Sequence, residues 1–461
     1  GHGEEICLET PRMLKIRCEL PAGEWCVREE DSGIEKYGFN VGRFMLPGGK
    51  WTIRRKMEMK KSKWSALLLA GLPLLGMFGC SGSAEPLKIE DFQSNVKFRT
   101  IVDVPPRPTE EILDGYIACG FTEYTLTEDW VNFTDSTGQI TQDYRDALEL
   151  LTEKGLGIYI RNHYNDPNYF INPELKIATL PNGYQYTIPA RNITNEFDAY
   201  PAIKGFLMAD EPSYDYIDDL KPLVEWNNSY GKKYLHINLF PSYLDPVALS
   251  GHSWSQYIQH YADTLLSAST TEKSLCLDNY PLISGADGNR LRASYLSDLL
   301  TVATINQAYN EQSDKTGESE FALCIQAFKD TGLRDIEGTA DITFQLATGM
   351  ALGAKGFEYF MYNSTMGMLG MMDEQGAPRT AYYAVKEANE KMLGFAKVLN
   401  CFDWRGLSTI AAEDEKDREY TEGFSSAEEL CMEKSEWGKL TEVTARLDAI
   451  VGAFRDEKGN D

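Results

Sequence analysis

The chain lacks any surplus of basic residues: its 461 residues carry 45 Lys and Arg against 70 Asp and Glu, a formal net charge of −25. Neutralising phosphates requires clustered Lys and Arg, so nucleic acid is excluded as a partner, and neutral ligands suit the acidic surface better. Metal-type cysteine spacing is missing too. The nine cysteines form no CxxC and no Cys/His pattern, so neither a zinc site nor a thioredoxin-like site is expected. The apolar run over 65–79 would span about 22 Å as a helix, short of a hydrocarbon core of ~30 Å. What the chain does have is a 43% hydrophobic, 11% aromatic composition, enough for a large core and more than one domain.

The apolar run has a specific setting. Lys60, Lys61 and Lys63 precede it and Gly79-Cys80 closes it. A basic segment, a short apolar segment and small residues at the end describe a secretory signal. Gly79-Cys80 resembles a bacterial lipobox, whose cysteine becomes the lipid-modified N-terminus after cleavage, although Met77 stands where Leu is usual. The alternative is a degraded transmembrane anchor. The lipobox reading implies an exported protein, lipid-anchored through Cys80 to a bacterial membrane, in the periplasm or at the cell surface. Translation then starts at Met57 or Met59. Residues 1–56 become a non-native upstream leader without sustained periodicity, 57–80 the signal peptide and 81–95 a linker.

From about residue 96 one rhythm repeats: apolar strand, turn, amphipathic helix. Strands are expected over 98–104, 122–127, 157–163, 205–211, 233–239, 274–280, 321–326 and 356–362, with Gly120 and Gly155 ending the first two helices. Eight βα units in one segment predict a (β/α)8 barrel over 96–404. An open dinucleotide-binding sheet is the competing fold, but the first turn, Val104-Pro-Pro-Arg-Pro108, has no glycines to cradle phosphates. No cofactor is therefore expected. Cys276 and Cys324 fall on neighbouring strands in different layers and read as buried free thiols. Beyond 404 the rhythm changes. Residues 405–461 read as the start of a truncated C-terminal β-domain, with a strand over 449–454 before a hairpin turn.

Barrel chemistry gathers where the strands end. The strand-four segment Gly205-Phe-Leu-Met-Ala-Asp-Glu-Pro212 stops on two carboxylates, Asp210 and Glu211. They read as acid/base groups or, in the bland alternative, as caps of the next helix. Asp278 on strand six is the candidate second carboxylate. Asp103, Asn162, His163, His236, Asn238, Tyr280, Gln326 and Tyr362 complete the rim as candidate substrate-binding residues, and Trp254 in a rim loop offers a ring on which sugars stack. Carboxylates, amides and aromatics suit a saccharide, and no metal is called for. Glu358, lying mid-strand, reads as structural and needs a partner such as Arg161.

Over about 96–404 the chain resembles the barrel glycoside hydrolases of the large clan that places its acid/base Glu after strand four, here Glu211-Pro212. The stretches 277–281, 325–326 and 356–362 also resemble uncharacterised bacterial barrels usually described as glycosidase-like. The resemblance implies fold and reaction type, not substrate. Two positions depart from the clan: Asp210 replaces its Asn, and Gln326 stands where its nucleophilic Glu ends strand seven. Three accounts follow. Glu211 is the acid with Asp278 as nucleophile or base; or Asp210-Glu211 acts as in N-acetylhexosaminidases, where the substrate's acetamide attacks; or the barrel binds glycans without cutting them.

Overall fold

The structure is a computed structural model that describes residues 93–127, 140–161, 199–243, 246–285, 288–313, 317–413, 431–432, 436 and 440–459, with the backbone course of short strands at 2–7, 14–20, 27–28, 52–53, 177–179 and 185–187. Eight parallel strands make the central sheet: β1 (Arg99–Val102), β2 (Glu123–Leu126), β3 (Gly157–Arg161), β4 (Ile203–Asp210), β5 (Tyr234–Leu239), β6 (Ser274–Asp278), β7 (Glu320–Gln326) and β8 (Gly356–Phe360). From β2 to β8 each pairs with the next in sequence, and β8 pairs with β1. The ring is completed between β1 and β2, where Thr122 N–H donates to Thr100 O at 3.1 Å and the two hydroxyls lie 3.2 Å apart. This is the expected (β/α)8 barrel.

Helices cover the outside: α1 (Glu110–Ala118), α2 (Gln142–Glu153), α3 (Tyr214–Asp219), α4 (Lys221–Trp226), α5 (Trp254–Tyr261), α6 (Tyr295–Gln312), α7 (Thr339–Ala351) and α8 (Thr380–Met392). Local chemistry sets several ends. Ser253 and Gln256 form a reciprocal capping box that starts α5, satisfying backbone N–H groups the helix itself leaves unpaired. Gly120 and Gly155 end the first two helices at φ +88° and +74°, a conformation glycine adopts without a Cβ penalty. Outward strand residues pack against this layer: Phe357 meets Phe98 and Tyr359 meets Phe121, both edge-on.

Inside the barrel, side chains stack in layers. At the amino-terminal end Arg99 lies over the Tyr234 ring, 4.6 Å from its centroid, and reaches Glu320 at 3.3 Å and Glu123 at 3.8 Å. Gly205 and Gly356 make room for this layer, since a Cβ at Gly205 would sit 2.3 Å from the Tyr159 ring and one at Gly356 2.4 Å from Glu320. The next layer up holds His236, Ser274, Cys276 and Glu358. Cys119, Cys276 and Cys324 are buried free thiols.

Past the barrel come β9 (Asp403–Ile410), β10 (Leu440–Ala445) and β11 (Ala449–Arg455). The strand expected over 449–454 exists and pairs antiparallel with the upstream β9. The pair is docked on α7. Trp404 Nε1 donates to Ala351 O at 3.0 Å, and Gly452 lies so close that a Cβ would fall 2.0 Å from the same oxygen. The backbone of Leu14–Leu20, inside the segment read as a leader, runs antiparallel to both β10 and His2–Cys7. Cys80 and the rest of 57–80 lie outside the described residues. Among the described residues no helix is long and apolar enough to cross a membrane.

Candidate active site

β4 and β5 deliver the centre of the site. Glu211 immediately follows β4, and its N–H donates to Asn238 O on β5 at 2.9 Å, which fixes it at the strand end. Its φ is +47°, a left-handed value that costs a non-glycine residue about 1–3 kcal/mol and persists only where the surroundings hold it. Tyr257 of α5 supplies part of that hold. Its hydroxyl donates to Pro212 O at 2.9 Å and accepts from Phe240 N–H at 3.3 Å, clamping the loops after β4 and β5 together.

Asp210 and Asp103 are bridged by Arg161 from the end of β3: Nη1 is 2.6 Å from Asp103 and Nη2 3.0 Å from Asp210. Asp103 also accepts from Val104 N–H at 2.8 Å, so its carboxylate is held in place by protein donors. Asp278 ends β6 almost wholly buried. Its Oδ2 accepts from Tyr280 OH at 3.2 Å, while Oδ1 has no partner among the described residues. Asn279 beside it donates to Asp298 at 3.0 Å, and Asp298 also accepts from Ser242, tying the β5 and β6 loops.

These carboxyls interact. Loss of hydration lifts Asp210 to about 6 although over a third of its side chain is exposed; Arg161 pulls it down, and Asp103 and Glu358 push it up. Glu211 rises to about 7, first from burial and then from the charge of Asp210. Asp278 rises well above the carboxylate range, through burial and then the charges of Glu211, Asp210 and Glu358. All three are shifted upward together, and the Glu211 charge acts on Asp278, so the two lie within electrostatic reach.

The shifts make stability depend on pH. A carboxyl whose folded pKa exceeds its unfolded value, roughly 4, binds more protons when folded, so its contribution is full below the unfolded pKa and is lost as pH rises through the folded one. Asp210 at about 6, Glu211 at about 7 and Glu123 at about 8 act in this sense. Glu358 acts in the opposite sense, its contribution lost in more acidic solution. Burial favours its neutral form, but hydrogen bonds from His236 and Asn238 and the His236 charge hold it below the usual range. The urea midpoint is therefore expected to fall between pH 5 and pH 8, and Asp278→Asn to make that fall shallower. An unchanged midpoint across the interval contradicts these upward shifts.

The remaining candidates divide. Asn238 is buried beneath Asp210 and Glu358, bonding to both carboxylates. Tyr280 is half-buried beside Asp278, and Trp254 donates to Phe240 O at 2.8 Å on the loop after β5. Three others are buried. His236 lies one layer too deep, 1% exposed, with Nε2 2.9 Å from Glu358 and Nδ1 3.0 Å from Ser274. His236, rather than Arg161, is thus the hydrogen-bonded partner of Glu358. Gln326 is fully buried, its carboxamide accepting from Leu282 N–H and donating to Leu282, Phe328 and Arg334 carbonyls, so it ties loops together. Tyr362 turns outward against Tyr116 of α1. Asn162 and His163 lie outside the described residues.

Among the described residues, His236, Cys276 and Glu358 are the donor group able to hold a metal, with ligand atoms within 4.8 Å of one another. They come from three strands, which is why no spacing motif shows in the sequence. Both ring nitrogens of His236 are already engaged, and the cluster reads as a packed polar layer. Sequence reasoning also missed Tyr243, Tyr257 and Arg292, which border the site from loops and a helix and carry no pattern of their own.

No protein-family model and no curated protein matches this chain. Solved structures similar to it include a β-galactosidase from Rahnella sp. R3, at 13% identity over 70% of this chain and 59% of that one, TM-score 0.40. A second is Saccharomyces cerevisiae Gas2p in complex with laminaritetraose and laminaripentaose, at 10% identity over 61% and 59%, TM-score 0.37. A third is a family 39 glycoside hydrolase from Bacteroides cellulosilyticus WH2, at 12% identity over 70% and 67%, TM-score 0.33. The chain spans less than two thirds of the length of the first two. The barrel assignment rests on the chain's own strand order.

Proposed function

We propose that the barrel hydrolyses glycosidic bonds in an oligo- or polysaccharide by carboxylate acid/base catalysis, with Glu211 protonating the leaving oxygen. The observation that carries this is Glu211 itself: a residue whose backbone is held in a left-handed conformation at the end of β4, and whose charge acts on a second, incompletely bonded carboxyl at the end of β6. A pKa of about 7 leaves Glu211 protonated in mildly acidic solution, as a general acid requires. Asp278 then stabilises the oxocarbenium-like transition state as its carboxylate, the interacting pair holding a single proton that Glu211 delivers to the leaving oxygen. The ion pair at Asp210 supports a second reading. Arg161 holds the Asp210 carboxylate at 3.0 Å, next in sequence to Glu211, the arrangement needed if a substrate acetamide attacks and Asp210 steadies it. Lipid anchoring through Cys80 and export remain part of the proposal, on the strength of the sequence around Gly79-Cys80.

The test is release of reducing ends from a panel of oligosaccharides and aryl glycosides, with and without N-acetyl groups, at pH 5 to 8. Loss of activity in Asp278→Asn with Asp210→Asn only impaired supports the two-carboxylate mechanism. Activity confined to N-acetylated substrates and lost in Asp210→Asn supports the second reading. Glycan binding without release by the wild type overturns hydrolysis and leaves a glycan-binding barrel.

A further inference from the structure

Beside the carboxyl pair lies a cation that the proposed reaction does not use. Arg292 follows the short antiparallel hairpin Leu282–Gly285 and Gly288–Leu291, which is inserted after β6. Its guanidinium stacks on the Tyr243 ring, 3.5 Å from the centroid, a contact in which the flat cation meets the electron-rich face. Nε donates to Tyr280 O at 3.2 Å, and the Arg292 N–H donates to Pro281 O at 2.8 Å. The platform is itself anchored, because Tyr280 N–H donates to Tyr243 OH at 3.1 Å. One residue therefore joins the two features: Tyr280 holds Arg292 through its carbonyl and Asp278 through its hydroxyl.

The other cations of the site already have partners. Arg161 is shared by Asp103 and Asp210, and Glu358 is bonded to His236. By contrast, no carboxylate among the described residues pairs with Arg292, and its Nε is the guanidinium nitrogen with a protein acceptor. Tyr243 beneath it is 38% exposed, so the platform is open to solvent. A planar fork fixed at one edge and stacked on one face is prepared to bind, with its remaining N–H groups, an anion that presents two oxygens from one centre.

Resting on the glycosidase reading above, we propose that the Arg292–Tyr243 platform is a subsite for an anionic group on a sugar ring, a carboxylate or a sulfate ester, so that the site selects acidic over neutral saccharides. The acidity of the protein as a whole does not oppose this. Surface charges more than a Debye length away are screened, about 8 Å at physiological ionic strength, whereas Arg292 acts at contact.

The experiment uses the full chain carrying Glu211→Gln, so that binding is read without turnover. Calorimetric titration with three probes distinguishes the sources: oligogalacturonate for carboxylate, a sulfated galactan oligomer for sulfate, and neutral galactan oligomers as reference. The expected result is at least tenfold tighter binding of one acidic probe than of the neutral one. Arg292→Met should erase that preference while leaving neutral binding within about twofold, and Arg292→Lys should restore only part of it. Equal affinity for acidic and neutral probes, or an undiminished preference in a folded Arg292→Met, overturns the subsite and leaves the carboxyl pair untouched. Binding of none of the probes, together with no turnover by the wild type on the wider panel, removes the glycosidase reading and the subsite with it.

Discussion

Glu211→Gln is expected to lower kcat/KM on oligosaccharides by about 10²- to 10⁴-fold, the usual contribution of a positioned general acid. The change keeps the shape of the side chain and the left-handed backbone at that position, so the fold should survive. What disappears is the transferable proton. The loss should depend on the leaving group: alkoxides of sugar hydroxyls need protonation as they depart, whereas a dinitrophenolate does not. A dinitrophenyl glycoside should therefore lose far less activity than an oligosaccharide. The wild type should also lose kcat/KM as pH rises through about 7, where Glu211 gives up its proton, and that limb should vanish in the variant. Equal losses on both substrate types would show that Glu211 binds or positions the sugar instead of protonating it.

The largest effect on stability is expected at the opposite end of the barrel. Gly205→Ala puts a methyl group 2.3 Å from Tyr159 Cε1 and 2.9 Å from the Tyr234 carbonyl. The Tyr159 ring has little freedom to retreat. Tyr234 and His236 meet it edge-on at 5.9 and 6.0 Å, and the Arg99 guanidinium lies 5.7 Å from its centroid. Overpacking of this kind costs about 1–3 kcal/mol and more where backbone is the obstacle. Urea denaturation should show a lowered midpoint. Adding Tyr159→Leu should recover part of it, because residues in contact couple and their effects do not sum. Additive effects would mean that the two residues do not meet.

The barrel was legible because each strand is a short apolar run flanked by turn residues, and because β2 to β8 pair in chain order before β8 meets β1. Asp103, Asp210, Glu211 and Asp278 were legible for a related reason, since they are the polar residues on which those runs stop. Depth was not. His236 and Asn238 alternate onto the same face of β5, and only the register between strands shows that His236 sits a layer lower against Glu358. Alternation also fails past a strand end. β8 finishes at Phe360, so the rule that points Glu358 inward no longer governs Tyr362, which turns to α1. Gln326 occupies the right strand end, but the loops after β6 and β7 close over its carboxamide. Arg292 and Tyr243 come from loop segments with no periodicity to read, and Tyr257 lies on helix α5, whose pattern marks it as buried but not as a clamp on the rim loops.

Residue 404 marks where the repeating pattern stops, and a protein engineer would naturally cut there. The shared carbonyl of Ala351 makes that a poor choice: the indole of Trp404 and the bare backbone of Gly452 both converge on it, so shortening the chain at 404 would peel a covering from α7. A minimal version of the barrel has to keep the appended strands through Arg455, and any swap of that appendage must respect a seam with no room for even one methyl group.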